Sequence, residues 1–120
     1  MIENIPNYFK TYDKENIIRR LQENPEEIQQ LLGIAVDVNH ESSWRACWML
    51  RSALENGDRR ISEISSKLVE ILPVAKDNHQ REIVCLLDKT EVKEQDEGKL
   101  FDACITMKLN FSQNRILWIL

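Results

Sequence analysis

Residues 43–56, which read Ser-Trp-Arg-Ala-Cys-Trp-Met-Leu-Arg-Ser-Ala-Leu-Glu-Asn, restrict the fold of this chain more than any other stretch. At about 3.6 residues per turn, Ala46, Cys47, Leu50, Ala53 and Leu54 share one arc of a helix, wide enough to face a core. Arg45, Ser52 and Asn56 fall opposite. Trp44 and Trp48, one turn apart, occupy a third sector beside Arg51 and Glu55. Apolar surface on more than one side implies neighbours on more than one side, so this segment reads as the middle layer of a stack.

The flanking sequence supplies the other layers. Residues 1–12 contain Ile5, Tyr8, Phe9 and Tyr12 without a clean period. Asp13 opens a helix carrying Ile17, Ile18 and Leu21, which ends at Asn24-Pro25 because the residue before a proline avoids the helical region. Pro25 suits the first position of the next helix, with Asn24 as its cap and Glu26 and Glu27 beside the positive end of the dipole. Its buried stripe is Ile28, Leu31, Leu32, Ala35 and Val36, and residues 38–41 connect it to the central helix. That helix stops at Asn56-Gly57, where glycine permits a left-handed turn. Asp58 caps a helix bearing Ile61, Ile64, Leu68, Ile71 and Leu72, interrupted by Pro73. Asp77-Asn78 begins another with Ile83, Val84, Leu86 and Leu87. The charged run 91–98 reads as a solvated loop. A further helix carries Leu100, Phe101, Cys104, Ile105, Met107 and Leu109, and Ser112 caps a last apolar segment, 115–120.

Composition narrows the function. With 120 residues and 42% apolar side chains the chain has enough for one core, and only three Gly and three Pro favour long helices over a sandwich or barrel. No apolar run approaches the ~20 residues that span a bilayer, and the N-terminus has no basic-then-apolar signal. The net charge of −4 disfavours nucleic acid. Residues 43–81 carry seven basic against five acidic side chains, and residues 82–99 reverse this with three against six. Neither is a phosphate footprint. Cys47, Cys85 and Cys104 are odd in number and sit among apolar neighbours, as buried, reduced thiols of a cytosolic protein do. They lack the short spacing of metal ligands, and no cofactor is expected.

The helices recur. Arg45, Trp48 and Leu50 are matched by Arg81, Val84 and Leu86, and again by Arg115, Trp118 and Leu120, at offsets of 36 and 34. Each arginine opens the first helix of a pair, and the second helices (58–72 and 96–109) also correspond. Such a period with two helices per unit marks an α-solenoid.

Several motifs carry a family resemblance: Lys14-Glu15-Asn16, Asn24-Pro25-Glu26, Trp44-Arg45-Ala46-Cys47-Trp48-Met49-Leu50, Leu72-Pro73 with Lys76, and Arg81-Glu82-Ile83. Over roughly residues 13–120 the chain resembles the small bacterial proteins of the HEAT-like, armadillo-type superfamily. The resemblance implies an all-α fold, a right-handed α-solenoid of about three antiparallel helix pairs, and a non-catalytic protein-binding scaffold in the bacterial cytoplasm. The expected organisation is one domain, 1–120, with repeats at 13–38, 43–75 and 78–110 and a partial one at 112–120. In similar proteins the chain continues past the last helix.

The candidate interaction patch is Trp44, Trp48, Arg51 and Glu55. An aromatic-and-guanidinium surface of this kind could grip a ligand, as the tryptophan, aspartate and arginine of HEAT-like alkylated-base DNA glycosylases do. The acidic balance makes that the second reading, and packing of both tryptophans the first. If Trp48 is core, Trp48→Ala costs roughly 3–5 kcal/mol. His40 and His79 read as polar residues near helix starts rather than as ligands or a base. Residues 91–97 lack the pattern of a calcium loop. The partner is another protein and the chain a monomer. The apolar tail 116–120 either folds back, pairs with another chain as a weak dimer, or continues beyond Leu120.

Overall fold

The computed structural model describes residues 14–107. Six α-helices run along them: α1 (Lys14–Glu23), α2 (Pro25–Ala35), α3 (Ser43–Ala53), α4 (Arg59–Ile71), α5 (Asp77–Leu87) and α6 (Glu94–Met107). A 3-10 turn, Leu72–Val74, follows α4. Among the described residues there is no strand. The expected cap at Asp13, the aromatics of residues 1–12, Leu109, Ser112 and the 115–120 copy of the repeat lie outside them.

Local chemistry sets the helix ends. Pro25 occupies the start of α2, where its missing N–H costs nothing. Asn24 does not cap α2 with its side chain, contrary to expectation. Its Nδ2 donates to the Arg20 carbonyl at 2.7 Å, closing the end of α1 instead. Asp58 does cap α4, accepting from the Arg60 N–H at 2.8 Å, while the Arg60 guanidinium forks onto both carboxylate oxygens. Those bonds to Arg60 hold the Asp58 carboxyl below its ordinary range.

Two boundaries differ from the sequence reading. Helix α3 ends at Ala53 rather than Asn56, because Leu54 swings to extended backbone (φ −101°, ψ 145°) and turns into the core. Its carbonyl accepts from Lys89 Nζ at 2.8 Å. Gly57, at φ +83°, then makes the left-handed turn and donates its N–H to the Lys89 carbonyl at 2.7 Å. The turn after α3 is thus zipped to the turn after α5. The second correction is that residues 91–98 are not one solvated loop. Helix α6 begins at Glu94, and Asp96 in its first turn is buried, accepting from Ser66 Oγ at 2.6 Å.

The helices form two layers. Helices α1, α3 and α5 pack in succession, as do α2, α4 and α6, with α2 against α3 and α4 against α5 joining the layers. Helix α3 touches α1, α2 and α5, the middle position its composition implies. This is why Met49, outside the predicted arc, is fully buried beside Ala46, Cys47 and Leu50.

Burial also recurs along the chain. Ser42, Ser43, Ala46, Cys47, Met49 and Leu50 each have a buried counterpart 37 residues on, at His79, Gln80, Ile83, Val84, Leu86 and Leu87. In the other layer Ile28, Leu31, Leu32 and Ala35 map by the same step onto Ser65, Leu68, Val69 and Leu72. Ile61, Ser65, Leu68 and Val69 then map onto Asp96, Leu100, Ala103 and Cys104 after 35 residues. The packing register between α3 and α5 therefore differs by one residue from the 36-residue spacing of Arg45 and Arg81. Arg81 is exposed, whereas Arg45 is half-buried.

Other expected core positions divide. Val36 and Ile64 are only half-buried, and Val69 is fully enclosed although no stripe predicted it. Phe101 and Ile105 stand 50% and 43% exposed, because α6 packs on α4 and the 3-10 turn with its opposite side.

Candidate functional site

The residues of the expected patch start on α3 but do not end on one surface. Trp44 is half-buried, with the Arg45 guanidinium 4.9 Å above its ring. Trp48 is half-buried and packs on the core. Arg51 Nε donates to Glu82 Oε1 at 2.7 Å across to α5, so its charge is matched within the chain, and this bond raises the Arg51 pKa. Glu55 is exposed beyond the end of α3, where Leu54 has left helical geometry. Because Trp48 keeps some solvent contact, Trp48→Ala is expected to cost about 2 kcal/mol, less than for a fully buried tryptophan. Urea denaturation checks this, and a cost near 5 kcal/mol would place the ring in the core proper.

The buried polar groups at the start of α5 hold the layers together. His79, expected as a capping residue, is instead 3% exposed with Nε2 2.7 Å from the Ala35 carbonyl at the end of α2. A carbonyl can only accept, so Nε2 carries a proton. Gln80 Nε2 donates to the Leu72 carbonyl, the counterpart of Ala35, at 3.0 Å. His40 behaves as expected: its Nδ1 accepts the Ser42 N–H at 3.0 Å just before α3. Ser43 Oγ meets the carbonyls of Asp37 and His40.

Burial lowers the His79 pKa against the opposing effects of its bond to Ala35 and the charge of Asp37. The unfolded chain therefore binds this proton more readily than the folded one. The stability it confers is fully present above the ordinary histidine value of about 6.5 and is lost as pH falls through the lowered one. The urea midpoint should fall between pH 8 and pH 5, with a shallower fall in His79→Asn. Equal slopes for the two proteins would show that His79 does not carry the effect.

The cysteines are packing groups. Cys47 is fully buried with Sγ 3.8 Å from the Ala35 carbonyl oxygen, and burial, then Glu82 and Cys85, push its thiol well above the ordinary range. Burial also raises Cys104. Cys85 is half-buried rather than enclosed as expected. Among the described residues no group of three or more His, Cys, Asp or Glu side chains could hold a metal ion. No helix among them is long and apolar enough to cross a membrane.

Two surface grooves flank α6. One, of about 610 Å³, lies where the α5–α6 connection meets α6 and includes Leu87, Val92, Leu100 and Phe101. The other, of about 510 Å³, lies between the C-terminal halves of α4 and α6 above Gln80. Glu70, Lys99, Asp102 and Thr106 edge it, and Val69 and Ala103 floor it. Residue reading missed this groove because the residues come from three helices and form no motif. The acidic run Glu94, Asp96 and Glu97, which marks a helix start as well as it marks a loop, lies at the other end of α6 and gave no sign of it.

Two layers of successively packed helices, with burial recurring at 37 and then 35 residues, define an α-solenoid. A family model described as HEAT repeat domain matches residues 2–115, and the chain belongs to that family. No curated protein and no solved structure matches the chain.

Proposed function

We propose that the chain is a non-catalytic scaffold that binds another protein in the bacterial cytoplasm. Helical repeats of this kind present extended surfaces to protein partners. The observation that carries the reading is the solvent-facing side of α6, where Phe101 and Ile105 stand exposed among charged side chains next to two grooves. An exposed apolar pair rimmed by charge is typical of contact surfaces. The sector of Trp44, Trp48, Arg51 and Glu55 is proposed as a secondary contact, through the two rings rather than the Arg51 charge already taken by Glu82. The proposed repeat units are 13–38, 43–75 and 78–110 with a partial one at 112–120, in a single domain spanning 1–120.

The test is capture of a partner from a bacterial extract by the immobilised chain and by Phe101→Ser/Ile105→Ser. Retention by the first and loss by the second is expected, and equal retention by both would move the contact elsewhere. The nucleic-acid enzyme reading fares worse, because α6 carries Glu94, Asp96, Glu97 and Asp102 against Lys99. A DNA titration at two salt concentrations should show no saturable binding, whereas steeply salt-dependent binding would favour the enzyme reading. The chain is proposed to be a monomer in solution. Light scattering that reports a concentration-dependent dimer would point instead to pairing through the apolar C-terminal segment.

A further inference from the structure

Helix α6 has two packing faces, and the fold uses one of them. Asp96, Leu100, Ala103 and Cys104 are buried against the rest of the stack. Glu94, Gly98, Phe101 and Ile105, spaced by four, three and four residues, share the opposite side and are all exposed. That spacing keeps side chains in line along a helix and is the one by which helix packs on helix. Apolar residues on more than one side of α3 meet α1, α2 and α5, whereas among the described residues α6 packs on α4 and the 3-10 turn.

Gly98 gives the second face its shape. Glycine weakens a helix interior relative to alanine, so its presence there calls for a reason. Its backbone freedom is not the reason, since among the described residues only Gly57 has a positive φ. Nor is crowding inside the chain, because a methyl group added at Gly98 would meet no atom within 4 Å. What remains is a notch beside Phe101, open to solvent, through which a second helix can come close to the backbone.

The flanks of this face carry one sign of charge. Glu97 lines the groove on one side of it and Asp102 the groove on the other, and Glu94 stands at its start. Lys99, the single basic residue of α6, lies round toward α4 at the edge of the second groove. An apolar seam between carboxylates is matched by an apolar seam between cations.

From this seam, its glycine notch and its acidic flanks, we infer that α6 receives an amphipathic helix of a partner protein, with apolar residues three and four apart and lysine or arginine on either side of them. The inference rests on the scaffold reading and gives the partner its chemistry. Phe101 and Ile105 pack between the partner's apolar side chains, Gly98 admits its backbone, and Glu97 and Asp102 face its basic residues. A second copy of this chain fits poorly, because its own α6 would bring the same carboxylates against Glu97 and Asp102.

The test is selection, against the full chain, of phage-displayed helical peptides randomised along one face and its flanks. Selected peptides should carry apolar residues at three- and four-residue spacing, flanked by lysine or arginine. Their affinities are then measured on Gly98→Leu and on Glu97→Gln with Asp102→Asn, all at exposed positions, with circular dichroism confirming that each variant is folded. Gly98→Leu should weaken binding about tenfold, by filling the notch, while raising the urea midpoint, because leucine is the better helix former. The double substitution should weaken binding about fivefold at low salt and less at high salt. Peptides indifferent to Gly98→Leu, peptides with acidic or uncharged flanks, or no selected peptide at all would overturn the assignment, as would a dimer of the chain that Gly98→Leu dissociates. If a protein is still captured from the extract in that event, the scaffold reading stands, and if none is, it falls as well.

Discussion

Leu50→Ala should lower the free energy of unfolding by about 3–5 kcal/mol, a large share of the roughly 5–15 kcal/mol that a domain possesses. Leu50 is fully buried in α3, the helix that touches α1, α2 and α5. Removing most of its side chain loses the transfer energy of the deleted atoms and leaves a cavity that neighbours on several sides cannot close together. Its counterpart Leu87 in α5 is almost as enclosed, but α5 lies one repeat further along the same layer. Urea denaturation followed by far-ultraviolet circular dichroism gives the number. A loss under about 1 kcal/mol would mean that α3 is not the middle of the stack.

Arg20→Ala is expected to cost about 2–3 kcal/mol. Glu27 sits in the first turn of α2, where sequence suggests a solvated carboxylate beside the helix dipole, yet it is 5% exposed. Arg20 reaches it from α1 with Nε on Oε2 at 3.2 Å and Nη2 on Oε1 at 2.9 Å, a two-pronged pair across the α1–α2 turn. Taking the arginine away leaves a desolvated carboxylate with no counter-charge. The Arg20 side chain is 42% exposed, so water screens the pair and the cost stays below that of a fully enclosed one. Replacing both residues, as Arg20→Met with Glu27→Leu, should recover most of the loss, because neither charge then needs solvation. A double variant as unstable as Arg20→Ala would show that the loss reflects packing rather than charge.

Most of the architecture could be read from periodicity. The helix starts at Pro25 and Asp58, the stop before Pro73, and the alternation of two helix layers follow from local rules that act within a few residues. Two of the departures come from tertiary contacts and one from a local choice. Leu54 leaves the helix because the core and the Lys89 side chain hold it in extended form, which nothing in residues 53–57 announces. Glu94 starts a helix inside a charged run because Asp96 finds Ser66, thirty residues earlier in the chain. Asn24 closes α1 rather than opening α2, a choice between two nearby backbone groups that sequence leaves even.

The site was less legible than the fold. Tryptophan and arginine drew attention to α3, but the structure gives Arg51 to Glu82 and rests Trp48 on the core. The groove beside Gln80 draws on α4, α5 and α6, which no local motif joins. Glutamine near a helix start ordinarily reads as surface, and only the buried bond to Leu72 shows otherwise. His79 illustrates the same point, since its partner Ala35 is 44 residues away.

Nuclear Overhauser effects between side-chain methyl groups offer the most direct check that the helices are tiled in two layers with α3 between α2 and α5. The buried side chains of α3, Ala46, Met49, Leu50 and Ala53, should give cross-peaks both to Leu31 or Ala35 of α2 and to Ile83 or Leu86 of α5. Cross-peaks to one of these helices alone, with none to the other, would contradict it.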